Sequence, residues 1–183
     1  MRTATIKGSP WIVCISGFRV GRVDDTRRLV NAVAEAAAPS ITQLLDAGRV
    51  AGYDHLLMAA VNAAKSMETG MAVSKTIAVE SLLYASARDQ ITKALGLMGL
   101  TTRSTKVAIM VFATTEKNAV AAYGEAAKLL GEEDDSVLDL DVEKSKTLKK
   151  AYEITDTEIE AIGGPDTLTK LIVERGALLS IRR

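Results

Sequence analysis

The sequence predicts an α/β fold: a modest mixed sheet packed with several helices, in a single domain spanning residues 1–183. Three observations carry this reading. Trp11 to Ile15 and Val107 to Phe112 are short, continuous apolar runs rich in β-branched residues, the pattern of buried strands. His55 to Met67 is a strongly helical, Ala-rich stretch with Gly70 placed to close it in a left-handed cap. A chain of 183 residues suits one domain with a substantial core, and no internal repeat or low-complexity linker divides it.

The elements follow in order. Pro10 and Gly17 bound the first strand. Asp24 and Asp25 stand where helix N-caps stand, ahead of Leu29, Val30, Val33 and Ala34 at helical spacing, and Pro39 closes that helix. Ile41 to Leu45 reads as a second short strand, with Asp46-Ala47-Gly48 as turn chemistry. Three helices then come in succession and are expected to pack on one sheet face. They are His55 to Met67, a helix opened by Ser74 carrying Ile77, Leu82 and Leu83, and one begun at Ser86 or Ala87. The third sets Ile91, Ala94, Leu95 and Met98 on one face, with Gly99 after its last turn.

Val107 to Phe112, apolar throughout, is expected to be central in the sheet. Thr115 precedes a helix of Ala119, Val120, Ala122, Ala126 and Leu129, ended by Gly131. The acidic run from Glu132 to Ser136 reads as a solvated loop, followed by a short apolar stretch at Val137 to Leu140 and a basic helix with Lys144, Lys146, Lys149 and Lys150. Thr155 to Glu158 is a capping-box pattern. Gly163-Gly164-Pro165 breaks the chain, and a last helix runs from about Thr167 to Ser180.

Composition narrows the function more than it defines it. Lys plus Arg equals Asp plus Glu at 23 each, so any contact with nucleic acid must come from a local patch rather than a whole-molecule field. Cys14 is the only cysteine, which excludes an intrachain disulfide and fits a reducing compartment. Trp11 to Ile15 is too short for the apolar part of a signal peptide or for a membrane span, so the expected location is cytoplasmic and no membrane is involved.

Catalytic patterns are scarce. His55 is the only histidine, which rules out a Ser-His-Asp triad or a His-rich metal site in its usual form; it is expected to be a packing or surface residue. Gly17-Phe18-Arg19-Val20-Gly21-Arg22 lies between a strand and a helix, but its glycine spacing is wrong for a phosphate loop. Asp24 and Asp25 would also repel a phosphate at that helix start. The acidic run at 132–135 lacks the ligand spacing of a calcium loop, and there is no CxxC, HExxH, Walker motif or nucleophile elbow. No catalytic residue, metal ligand or cofactor is therefore expected. Glu80, amid Ile77, Ala78, Val79, Leu82 and Leu83, keeps two readings. One is a rim carboxylate or helical partner of Thr76 or Tyr84, and the other a buried acceptor capping a neighbouring loop or holding Lys75.

The stretch from Ala51 to Phe112 carries a family resemblance. Gly52, His55, Leu56-Leu57-Met58-Ala59-Ala60, Gly70, and Lys75-Thr76 with Glu80 match its first two helices. Leu82-Leu83-Tyr84-Ala85-Ser86, Gln90-Ile91, Ala94-Leu95 and Gly99 match the third helix and its lead-in, before a strand such as Val107 to Phe112. In these residues the chain resembles the TPRKB-like family, the small kinase-binding subunits of the KEOPS tRNA-modification complex. The N-terminal third and the region from Glu116 to Ile154 match only in pattern.

The resemblance implies a non-catalytic adaptor. It would dock on the kinase-like ATPase subunit of KEOPS and recruit tRNA by its single-stranded CCA end for threonylcarbamoylation of the adenosine beside the anticodon. On that reading the last helix supplies the kinase-subunit contacts through Leu168, Leu171, Ile172, Arg175 and Leu179, with core packing as the alternative for its apolar stripe. The tRNA contacts fall to Lys65, Lys75, Arg88, Lys93 and Arg103, with Tyr84 or Ala-rich walls lining a cleft for terminal bases. The competing reading is a small enzyme or small-molecule-binding α/β protein that uses a cleft between Glu80 and these cations.

Overall fold

The computed structural model describes residues 1–182. Strands β1 (Arg2–Thr5), β2 (Ile12–Arg19), β3 (Ile41–Asp46) and β4 (Lys106–Ala113) form a sheet in the order β1-β2-β4-β3, and the short β5 (Glu132–Glu133) joins the end of β2 beside β1. Every pairing is antiparallel, a narrower arrangement than the mixed sheet expected. β4 lies between β2 and β3, in the central position its sequence predicts.

Side chains alternate across the sheet. On β4, Ala108, Met110 and Phe112 join Val13, Ile15 and Leu45 in the larger core, while Val107, Ile109, Val111 and Ala113 join Cys14, Phe18 and Leu44 in the second. The larger core is covered by α2 (Tyr53–Glu68), α3 (Ile77–Ser86) and α4 (Ile91–Met98), the three successive helices expected on one face. The second is covered by α1 (Thr26–Ala36) and α5 (Glu116–Ala127). With helices on both faces, β4 has no solvated side, and its continuous apolar run follows. A third, smaller cluster gathers Ala51, Leu148, Tyr152, Ile154, Leu168, Leu171 and Ile172 where α6 (Val142–Tyr152) meets α8 (Thr167–Ala177).

Several boundaries differ from expectation for local reasons. Gly17, Phe18 and Arg19 continue β2 rather than forming a loop. A Cβ on Gly17 would lie 2.5 Å from Val137 Cγ2 and 2.8 Å from the Asp134 carbonyl, so glycine is there for close packing. α3 starts at Ile77 with Thr76 as its N-cap, not at Ser74, and runs through Ser86. Ala87, in the left-handed conformation at φ 52°, ends it, and α4 begins only at Ile91. On α4, Ala94 and Met98 are buried whereas Ile91 and Leu95 are exposed, so the packed stripe is narrower than the predicted face.

The acidic run is not a solvated loop. Asp135 accepts from Ser16 Oγ at 2.7 Å and from the Gly17 amide at 2.9 Å, and Asp134 pairs with Arg19 at 2.6 Å. These carboxylates fasten β5 and the following 3-10 turn (Asp135–Leu138) to β2. The capping box at Thr155 opens α7 (Asp156–Ile162) as expected. The last predicted helix is two, α8 and then α9 (Leu179–Arg182).

Candidate functional site

The polar groups buried among α2, α3, α6 and α8 form a chain of hydrogen bonds. His55, on the first turn of α2, is buried; its Nδ1 accepts from the Ala51 amide at 3.0 Å, and its Nε2 meets the Ala85 carbonyl at 2.8 Å. With Nδ1 accepting, Nε2 carries the proton and donates. Tyr152 of α6 donates to the same Ala85 carbonyl at 2.6 Å, and its ring stands edge-on to the imidazole. Thr169 of α8 donates to the Ala51 carbonyl at 2.9 Å, closing the chain from α8 to α6. Burial pushes the His55 pKa down to about 4, with proximity to Lys144 adding to the shift and the Ala85 carbonyl opposing it. His55 is thus the packing residue its context suggested.

Lys144 and Glu80 are the buried charges of consequence. Lys144, one of the four lysines of the predicted basic helix, is buried and donates to the carbonyls of Val137, Leu138 and Asp139 at 2.8–3.0 Å. Burial lowers its pKa to about 8. Glu80 is fully buried, and its Oε2 accepts from the amides of Val73 and Ser74 at 3.2 and 2.9 Å. The loop-capping reading of Glu80 is therefore correct, and its carboxylate does not face a cleft shared with the surface cations. Tyr84 is buried too, hydrogen-bonded to Ser66 at 2.9 Å, and does not offer a stacking surface.

The five cations predicted for RNA separate into three places. Lys65, in the last turn of α2, and Lys75, just before α3, are exposed beside the loop 70–76, which displays Met71 and Val73. Arg88 and Lys93 lie at the other end of α3, about 15 Å away along the helix axis. They share a depression of about 440 Å³ with Ala87, Asp89, Leu179 and Arg182. Arg103 lies beyond the far end of α4, where it lines a separate depression with Arg49 and Asp46. Arg49 and Arg182 were not singled out in the sequence. Neither lies in a motif or on an amphipathic stripe, and only the fold brings them beside the other cations.

The five residues predicted for the kinase subunit fall on both sides of the surface. Leu168, Leu171, Ile172 and Leu179 are buried in the chain's own cores. Arg175 is half-buried, ion-paired with Glu158, and reaches a depression of about 270 Å³ lined also by Ala87, Arg88, Tyr152, Glu153 and Arg182. Lys170, Glu174, Ser180, Ile181 and Arg182 are exposed and Val173, Arg175, Ala177 and Leu178 half-buried, so these are the residues that the C-terminal helices present outward. Gly176 lets α8 lie against α3, since a Cβ there would sit 2.5 Å from the Tyr84 carbonyl oxygen.

A further depression of about 440 Å³ lies between residues 20–32 and 129–131, floored by Val20, Val23, Leu29 and Leu130 and rimmed by Arg22, Asp24, Asp25 and Arg28. Among the described residues no group of three or more His, Cys, Asp or Glu is placed to hold a metal ion, and no helix is long and apolar enough to cross a membrane.

The domain is thus three-layered, with buried polar groups that tie helices and loops together and with its cations spread over separate parts of the surface. The chain belongs to the family described as kinase binding protein CGI-121, whose family model matches residues 21–180. This is the family of the TPRKB and KEOPS small subunits toward which Ala51 to Phe112 pointed. The match starts just after β2 and runs through α8 into the start of α9, so it takes in helices α1 to α8 and all five cations predicted for RNA, but not Arg182. A comparison with curated protein sequences gave no match.

Proposed function

We propose that this protein is a non-catalytic adaptor of the KEOPS tRNA threonylcarbamoyladenosine complex, holding the kinase-like ATPase subunit and recruiting tRNA through its single-stranded CCA end. The observation that carries this is the kinase-binding family match over residues 21–180. The outward residues of α8 and α9, Arg175 and Ile181 among them, supply the kinase contacts, with Leu168, Leu171, Ile172 and Leu179 holding the helices in place from inside. Lys65 and Lys75 at one end of α3, and Arg88 and Lys93 at the other, supply phosphate contacts spaced for a short single strand. Arg103 extends the basic surface past α4.

Reconstitution tests the reading. The protein alone is inert, binds the kinase-like subunit in a pull-down, and stimulates tRNA modification by the assembled complex. Ile181→Glu, at a side chain 78% exposed, releases the kinase-like subunit without unfolding the chain. Removing the CCA end from tRNA weakens binding, and equal affinity of intact and trimmed tRNA would refute end recognition.

A further inference from the structure

Between two buried anchors, Ile154 after α6 and Thr167 at the start of α8, the chain makes an excursion in which no side chain is fully buried. Of residues 155–166 only Glu158 and Ile159 are half-buried, and the others are exposed. α7, which lies within this stretch, has no buried residue, whereas every other helix has at least one. Ile159 packs against the third core cluster, while Ile162 on the last turn is left 51% exposed. A helix of seven residues does not hold itself in water, and the apolar burial that fastens the others is nearly missing here.

Charge takes its place. The segment carries Asp156, Glu158, Glu160 and Asp166 and no lysine or arginine. The body meets it with cations: Lys149 of α6 pairs with Asp156, Arg175 of α8 pairs with Glu158, and Lys170 donates to the Pro165 carbonyl at 3.1 Å. Both oxygens of Glu158 are engaged. Its Oε2 accepts from the Thr155 amide and hydroxyl at 2.8 and 3.0 Å, completing the capping box, and its Oε1 accepts from Arg175. At the other end, Gly163 and Gly164 stand at φ 64° and 83°, a region that glycine enters without strain. Thr167 Oγ1 lies 2.8 Å from both of their carbonyls and ties the α8 side of this joint down.

We infer that residues 155–166 are an acidic flap, closed over α6 and α8 by ion pairs, which opens as one unit on the Gly163-Gly164 joint and thereby withholds or releases Arg175. Closed, Glu158 neutralises the Arg175 guanidinium and keeps it from anionic groups outside the chain. Open, the flap leaves Lys149 free on α6, and Arg175 free at the depression it lines with Arg88 and Arg182. Partly exposed ion pairs are individually weak and are screened by salt, so ionic strength sets how far the flap stays closed. The inference needs no partner and stands apart from the adaptor reading.

Amide hydrogen exchange of the whole protein, at fixed pH in about 20 mM and about 500 mM sodium chloride, reads the opening. The amides of Ile159 to Gly163 are expected to exchange about a hundredfold faster than those of Leu171 and Ile172 in α8. They should quicken a further five- to tenfold or so at the higher salt, with α8 unmoved. Glu158→Gln keeps an acceptor for the cap without the charge. It should bring the exchange at low salt close to the wild-type rate at high salt, and raise modification of Arg175 by an arginine-selective dicarbonyl about fivefold. Lys149→Gln, away from the cap, should quicken exchange in the same direction. Exchange at residues 159–163 in step with α8, or a wild-type rate indifferent to salt, would overturn the flap. An Arg175 equally reactive in the wild type and in Glu158→Gln would overturn the masking.

Discussion

Lowering the pH should break the protein from the inside, at its one histidine. His55 is buried, with Nδ1 committed as an acceptor from the Ala51 amide. Protonating that nitrogen sets two N–H groups against each other and places a charge out of reach of water. The folded-state pKa is about 4 against an ordinary value of 6.5. Between those values the unfolded chain binds a proton that the folded protein does not, so stability is present in full above 6.5 and is lost as the pH falls toward 4.

Each pH unit is worth about 1.4 kcal/mol, which gives a total loss of about 3 kcal/mol and about 2 kcal/mol by pH 5. The comparator is His55→Asn, which keeps an acceptor near the Ala51 amide and leaves the Ala85 carbonyl with Tyr152. It should cost about 1–3 kcal/mol at pH 7 and lack the acid term. Urea unfolding of both proteins at pH 7, 6 and 5 measures the gap, which should narrow by about 2 kcal/mol across the series. The imidazole resonances of this single histidine, followed in parallel, should not titrate near 6.5. A gap that stays constant, or a histidine that titrates like a free one, would refute the reasoning.

Three further outcomes follow from buried contacts. Lys144→Met removes three donors to carbonyls and should lower stability by about 3 kcal/mol; because the folded pKa of Lys144 is about 8 against 10.5 ordinarily, wild-type stability should rise relative to the variant between those values, seen in unfolding curves from pH 8 to 10. Glu80→Gln weakens the two bonds that hold the Val73 and Ser74 amides, so hydrogen exchange at these two positions should quicken several-fold with little change elsewhere. Gly176→Ala forces α8 away from α3 and should cost about 1–3 kcal/mol, weakening kinase-subunit capture more than an equally destabilising change in α5.

The sheet core and the order of helices were legible because local pattern and global packing agree there. Val107 to Phe112 is apolar on both faces, and it lies between β2 and β3 under helices on both sides. Caps at Asp25, Thr115 and Thr155 were legible for the same reason, since a side-chain acceptor and the following amides are neighbours in sequence. What could not be read depends on distant partners. Lys144 looks like any lysine of a basic helix until the 3-10 turn of residues 135–138 brings carbonyls to its ammonium. Glu133 and Asp135 look solvated until the fold brings Ser16 to them, and Glu80 shows its role only once the loop at Val73 and Ser74 folds back. The candidate site was hardest for the same cause: Arg88 and Arg182 meet across the fold, and no spacing along the chain announces it.

The pairing of β2 with β4 also sets a timetable for folding. The partners lie about 90 to 100 positions apart, from Arg19 opposite Lys106 to Ile12 opposite Ala113. During synthesis the β1–β2 hairpin can form early, yet its inner edge stays open until roughly a hundred further residues have followed. In that interval the growing chain carries Ile12 to Ile15 on an unprotected strand edge, a site for mispairing with other chains. The helical hairpin of α2 and α3, local in sequence and rich in alanine, can assemble meanwhile and offer that strand a surface to rest on before its neighbour arrives.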